Sequence, residues 1–271
     1  MQNILVPVDF SPVSRNAAIY AAELAKKFNA KLLLFHAYML PTPVSEVPYV
    51  MVTADEMQKE NEEFIKNEAA HLHTTYQVEV EWQVRIGIAS DEVKALAAEK
   101  GADLIVMGMK GAGGLDKIIG STTTNVIRKL KVPVLVIPEK ATYQQILHIT
   151  YAYDLNDPSN VALFQPLLDL ASGYQSRFSL LHVQSPSENE SSSAAISALE
   201  QVFNGRQVSF VTAEDSNVTK GISEYLAQHP CELLAMVAHR HNFFERVFSK
   251  SNTTAMAYET SIPLLILHNK E

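Results

Sequence analysis

Glycines at positions 108, 111, 113, 114 and 120, followed by Ser121 and the run Thr122 to Thr124, are the residues whose types and spacing suggest chemistry. Glycine admits left-handed dihedrals and carries no Cβ, so a loop this rich in it serves a tight turn or a close approach of main chain to a ligand. Ser121 stands where a helix N-cap belongs, and the open N–H groups and dipole of a helix start favour an anion. In this reading Gly120 and Ser121 form the floor of a phosphate site and Gly108 to Gly111 its lid. The same residues also read as an ordinary turn before a capped helix. A Walker loop is excluded, because it needs lysine directly before the serine and Gly120 stands there. A dinucleotide fingerprint is excluded too, since no Gly-x-Gly-x-x-Gly opens a helix after the first strand.

Asp9 is the second chemical group. It ends the apolar run NILVPVDF, the pattern of a buried parallel strand whose carboxyl end meets a ligand crevice. A helix capped by Ser11 or Ser14 follows, with Ala17, Ala18, Ala21, Leu24, Ala25 and Phe28 on its apolar side. The pattern then predicts a strand over 31–38, a polar helix over 54–73, a strand over 78–86 and a helix from a cap at Ser90 to 100. A strand over 103–107, the glycine loop, a helix over 121–130 and a strand over 133–137 complete five strands in alternation with helices.

The alternation then restarts, with strands over 145–150, 177–184, 207–212, 233–237 and 262–267 and helices over 158–174, 194–203, 218–228 and 251–259. Leu34-Phe35-His36 parallels Leu180-Leu181-His182, and the run ending the first half, KVPVLVI, parallels SIPLLIL near the end of the chain. The chain is therefore an internal duplication, 1–140 and 141–271. The pattern favours two doubly wound parallel sheets, one per half, over a single ten-strand sheet, because each half has its own strand and helix set. Laid together, Asp9 faces Tyr151, and Gly108, Gly111 and Gly120 face Ala238, His241 and Lys250. The first half is thus expected to hold the phosphate, the second to keep only the scaffold.

Composition sets the outer limits. The 271 residues are 47% hydrophobic, enough for two compact cores. A formal net charge of -8 argues against an extended nucleic-acid surface while leaving room for a local nucleotide pocket. Cys231 is the only cysteine, which excludes an intrachain disulfide and a cysteine-cluster metal site. No signal-like start and no run of about eighteen apolar residues is present, so a cytoplasmic protein without a membrane partner is expected.

NILVPVDFS, LLLFHAY and VMGMKGAGG...IIGSTTTNVIRKLKVPVLVIP together resemble the universal stress protein family in a tandem form. The resemblance is close over 1–140 and weaker over 141–271. It implies open α/β sheets of strand order 3-2-1-4-5, pairing of the two halves through their last strands, and a possible further homodimer. One branch of that family binds ATP through Gly-x-x-Gly, nine residues, then Gly-Ser/Thr. Here Gly108-Met109-Lys110-Gly111 and Gly120-Ser121 match, with eight residues between Gly111 and Gly120. Carried over by position, Pro7, Val8 and Asp9 with the backbone at Ala37 would edge adenine and ribose. Met107 and Gly108 would lie by the ribose and first phosphate, and Gly111, Gly120, Ser121 and Thr122 would contact the phosphates.

Three functional expectations follow. The first is an adenine-nucleotide-binding stress or signalling protein with one competent site, in the first half. The second is a non-enzymatic interaction module on the same scaffold. The third is weak ATP hydrolysis, with Asp9 polarising water or sharing Mg²⁺ with the phosphates. His36 and His182 read as hydrogen-bonded strand-end histidines, and His239 to Lys250, HRHNFFERVFSK, as a contact loop or an aromatic cluster folded on its own domain.

Overall fold

The computed structural model describes residues 1–40, 53–109, 119–154, 161–185, 193–238 and 261–268. In the first half these form β1 (Asn3–Pro7), α1 (Pro12–Phe28), β2 (Lys31–Tyr38), α2 (Ala54–Tyr76), β3 (Val80–Ile86), α3 (Ala89–Glu99), β4 (Leu104–Gly108), α4 (Ser121–Lys129) and β5 (Val134–Ile137). The second half gives β6 (His148–Tyr153), a 3-10 turn (Val161–Phe164), α5 (Gln165–Tyr174), β7 (Arg177–Gln184) and α6 (Ser193–Val202). It continues with β8 (Val208–Glu214), α7 (Val218–Gln228), β9 (Leu233–Ala238) and β10 (Leu264–His268). The helix expected over 251–259, the contact loop 239–250 and Gly111, Gly113 and Gly114 lie outside the described residues.

Strand order is β3-β2-β1-β4-β5-β10-β9-β6-β7-β8, so each half has the 3-2-1-4-5 order. The two parallel sets are continuous. β5 and β10 pair antiparallel, with Leu264 opposite Val136, Leu265 opposite Leu135 and Ile266 opposite Val134. A separate sheet in each half would leave two fully buried aliphatic strands with unpaired edge N–H and C=O groups, and joining them satisfies both. Side chains alternate across the sheet. Ile4, Val6, Leu32, Leu34 and Leu135 pack with α1, α2, α5 and α6, while Leu5, Phe35, Ile105, Val134 and Val136 pack with α3, α4 and α7.

The same fastenings recur in both halves and fix which residues correspond. Asp103 Oδ2 accepts from the N–H groups of Gln2 (2.6 Å) and Asn3 (3.0 Å); Glu232 Oε2 accepts from those of Leu147 (3.1 Å) and His148 (2.7 Å). An acid before the fourth strand thus pins the start of the first strand in each copy. His36 Nδ1 lies 2.8 Å from Val8 O, and His182 Nδ1 lies 3.4 Å from Tyr153 O. A carbonyl only accepts, so both histidines donate from Nδ1. By this register Val8 answers to Tyr153 and Asp9 to Asp154, not to Tyr151. Gly108 pairs with Ile137 as Val237 pairs with Leu267, so its counterpart is Val237 rather than Ala238.

Two further histidines of the second half are buried besides His182. His148 Nε2 lies 2.8 Å from Ser179 Oγ, and His268 at the end of β10 lies 2.8 Å from the Ile127 carbonyl of α4. Burial pushes both imidazoles below the usual 6.5. The unfolded chain then takes up protons that the native chain does not, so stability is whole above that value and declines as pH falls from it toward the depressed native values. Urea midpoints are expected to fall between about pH 7.5 and 5.5, with a shallower slope in His268→Gln. An unchanged slope would remove His268 from the account.

Candidate functional site at the strand ends

β1 lies between β2 and β4, and the helices that follow β1 and β4 pack on opposite faces. This reversal opens a crevice beyond the carboxyl ends of the strands, the usual ligand position in an open parallel sheet. Pro7 ends β1 and Val8 and Asp9 follow it; Ala37 is near the end of β2, and Met107 and Gly108 end β4. Gly120, Ser121 and Thr122 begin α4, which is tied to the same edge by Gly120 N–H donating to Met109 O (2.7 Å) and Thr123 Oγ1 donating to Gly108 O (3.1 Å). These residues therefore occupy one end of the sheet. Gly111 falls outside the described residues.

Both described glycines do structural work. A Cβ on Gly108 would lie 2.7 Å from Val13 Cγ1 and 3.1 Å from the Val13 carbonyl, so this glycine admits the first turn of α1 against the end of β4. Gly120 is itself the N-cap, with φ -58° and ψ 152°, and its carbonyl accepts from Thr124 N–H (2.9 Å). Ser121 is consequently the first helical residue, not the cap expected from its type. The Gly120 N–H serves Met109, and the N–H groups of Ser121, Thr122 and Thr123 precede the first intrahelical bond, which Thr124 makes, so among the described residues these three have no helical partner. Ser121 and Thr122 have exposed side chains. Main-chain N–H, hydroxyls and the dipole suit phosphate oxygens there.

Asp9 is exposed, and its Oδ1 accepts from the Ser11 N–H (3.1 Å) and hydroxyl (2.5 Å). Ser11 in turn caps α1 by accepting from Ser14 N–H (3.2 Å). The carboxylate is thus held by the turn into α1 at the crevice mouth. Among the described residues no group of three or more His, Cys, Asp or Glu side chains could hold a metal ion, so Mg²⁺ would need phosphate oxygens to complete its shell.

An aromatic wall stands beside Asp9 that sequence reading does not anticipate. Phe10 has φ +60°, a left-handed conformation that a bulky residue adopts at a cost of about 1 kcal/mol or more. Its ring lies 4.6 Å from that of His36 and 5.7 Å from that of Phe64, and His36 stacks at 6.3 Å on Tyr38. The predicted strand over 3–10 hides this turn, because an apolar residue after an acid continues the pattern of the strand. Trp82 on β3 is 38% exposed.

The model of the universal stress protein family matches residues 1–138 and again 146–268. A universal stress protein of Methanocaldococcus jannaschii is 33% identical over 144 residues, 50% of this chain and 81% of that one. The crystal structure of a universal stress protein from Archaeoglobus fulgidus covers 98% of this chain and 96% of its own at 16% identity, with a TM-score of 0.73, a likeness of fold. A universal stress protein solved in complex with cAMP is 28% identical over 50% of this chain and 96% of its own, with a TM-score of 0.39.

Proposed function

This chain belongs to the universal stress protein family, matching it twice in tandem, and from that premise we propose that it binds an adenine nucleotide in the first half and acts in a stress-response or signalling role. The observation that carries the reading is the convergence at one sheet end of Asp9, the end of β4 and the open first turn of α4. Pro7, Val8, Asp9 and the Ala37 backbone edge the base and ribose. Met107 and Gly108 lie by the ribose and first phosphate. Ser121 and Thr122 meet the phosphates, with Gly120 shaping the floor and Gly111 completing the loop. ATP is the nucleotide of choice, with Mg²⁺ bridging its phosphates, and hydrolysis is at most weak. The protein works in the cytoplasm, its halves staying paired through β5 and β10, with a homodimer as a further assembly.

Gly120→Val tests the site. The backbone at Gly120 is compatible with any residue, so the variant keeps the fold while placing a branched side chain at the phosphate floor. Charge-assisted hydrogen bonds contribute roughly 1.5–3 kcal/mol each, so losing one weakens binding by about 10- to 100-fold. Equilibrium dialysis with labelled ATP reads this directly. Absence of saturable binding by the wild type at about 5 mM nucleotide would overturn the reading.

A second reading is favoured by the bonds of the glycines themselves. Gly108 answers to Val13 and the Gly120 N–H to Met109, so both are accounted for within the fold. On that reading the chain is an interaction module with no nucleotide, and partner capture is unchanged by ATP and by Gly120→Val. Mass spectrometry of small molecules released on denaturation separates the two, because a copurified nucleotide belongs only to the first.

A further inference from the structure

Only one of the chain's glycines follows an asparagine, Gly205 after Asn204, in the turn that leads from α6 to β8. Both residues are exposed, and Gly205 has φ +76° with nothing within 4 Å of where a Cβ would stand. The Arg206 N–H closes the turn by donating to the Phe203 carbonyl (3.1 Å), and the Asn204 N–H donates to that of Gln201 (3.4 Å). Among the described residues, the Gly205 N–H and the Asn204 side chain make no hydrogen bond. A main-chain nitrogen and a carboxamide able to close a five-membered ring with it therefore stand side by side, neither engaged and both open to water.

A side chain on the residue after an asparagine crowds this ring closure, and glycine, which has no Cβ, does not. The Gly205 nitrogen gives its proton to hydroxide and attacks Asn204 Cγ. The N–Cγ bond forms, the Cγ–Nδ2 bond breaks, and the leaving nitrogen takes a proton from water to depart as ammonia. Water then opens the succinimide. Addition at Cγ leaves an aspartyl residue in an unaltered main chain. Addition at the α-carbonyl leaves an isoaspartyl residue, with the main chain rerouted through Cβ and Cγ and longer by one methylene. Either product adds one negative charge.

We propose that Asn204-Gly205 is a self-modification site, at which the folded chain converts to an isoaspartyl form that loosens the second half. The extra methylene falls between Phe203 and Arg206, inside the 3.1 Å bond that closes the turn. Phe203, just before it, is 2% exposed and packs at 4.8 Å on Phe178 of β7, while the Arg206 guanidinium donates to Ser172 Oγ of α5 (3.0 Å). A lengthened turn cannot hold both ends in place, so α6 and β8 lose their fastening together. The site is separate from the strand-end crevice and does not depend on nucleotide binding.

The full-length protein, incubated at mildly alkaline pH, is mapped by peptide mass spectrometry, and isoaspartyl carboxylate is measured by methyl transfer from a purified isoaspartyl methyltransferase. The peptide spanning 204 and 205 is expected to exchange amide for acid ahead of every other asparagine peptide, with methyl transfer rising alongside. Asn204→Gln, an exposed change whose longer side chain cannot close the five-membered ring, is expected to abolish the methyl signal. Gly205→Ala is expected to slow conversion by about tenfold or more. The isoaspartyl form, separated by its added charge, is expected to unfold at lower urea than the untreated protein, whereas Asn204→Asp, with a normal main chain, keeps its midpoint. Absence of conversion at 204 in the folded protein, over a time in which the urea-unfolded chain converts, would overturn the proposal. An isoaspartyl form with an unchanged urea midpoint would overturn it as well.

Discussion

Leu135→Asp is expected to destabilise the chain by about 4 kcal/mol or more, the largest effect of any single substitution considered. Leu135 and Leu265 face each other where β5 meets β10, at 0% and 2% exposure, and both belong to the core layer shared by the halves. An aspartate there would sit in a buried aliphatic layer, so it must either be protonated or force the strands apart. Either outcome removes aliphatic packing from both halves at once. Guanidinium unfolding measures it. Trp82, the one tryptophan, reports the first half and far-UV circular dichroism reports the whole. A loss below about 1 kcal/mol would mean that the strands do not pair in solution as they do here.

Phe203→Ala is expected to cost about 3–5 kcal/mol. Phe203 is 2% exposed, and its ring centroid lies 4.8 Å from Phe178, 5.6 Å from Phe164 and 6.3 Å from Tyr151. Removing it deletes the hub of an aromatic cluster and opens a cavity that edge-on rings cannot close by small shifts. In the first half the helix after β1 packs differently. α1 meets its sheet with buried Ala17, Ala18, Ala21, Ala22 and Ala25, and truncation there would remove far less volume. Urea midpoints of Phe203→Ala and Ala21→Gly compare the two packings, and near-equal losses would contradict this contrast.

Much of this architecture is legible in the amino-acid pattern. The limits of β2, β7 and α7 coincide with the predicted 31–38, 177–184 and 218–228, because each is a clean periodic run between turn residues. β6 lies three residues later than predicted, at His148–Tyr153. Its buried tyrosines, Tyr151 and Tyr153, read as a polar exit from a strand although their rings are core. That shift moved the apparent counterpart of Asp9 from Asp154 to Tyr151. Within the helix predicted over 158–174, Val161–Phe164 form a 3-10 turn and the α-helix starts at Gln165, with Pro166 at a position where its missing N–H costs nothing. Gly120 outranks Ser121 as the cap because capping depends on backbone angles and on whose carbonyl takes the first bond, which residue type signals only weakly.

The strand-end crevice was legible as a location, since an acid after the first strand and glycines after the fourth can be read directly. The division of labour inside it was not. That Gly108 makes room for Val13, and that Phe10 turns left-handed to build an aromatic wall with His36, depends on contacts between elements far apart in sequence.

The β5–β10 junction carries an evolutionary corollary. When two identical subunits meet about a two-fold axis, every substitution is imposed on both sides of the contact, and the surface has to suit its own image. Here the partners are halves of a single polypeptide, so a glycine can be kept at 108 while a valine stands at its counterpart, 237. Tethering also keeps each half at a high local concentration of the other, whatever the dilution of the protein. One half is thereby at liberty to specialise while the other preserves the shared frame.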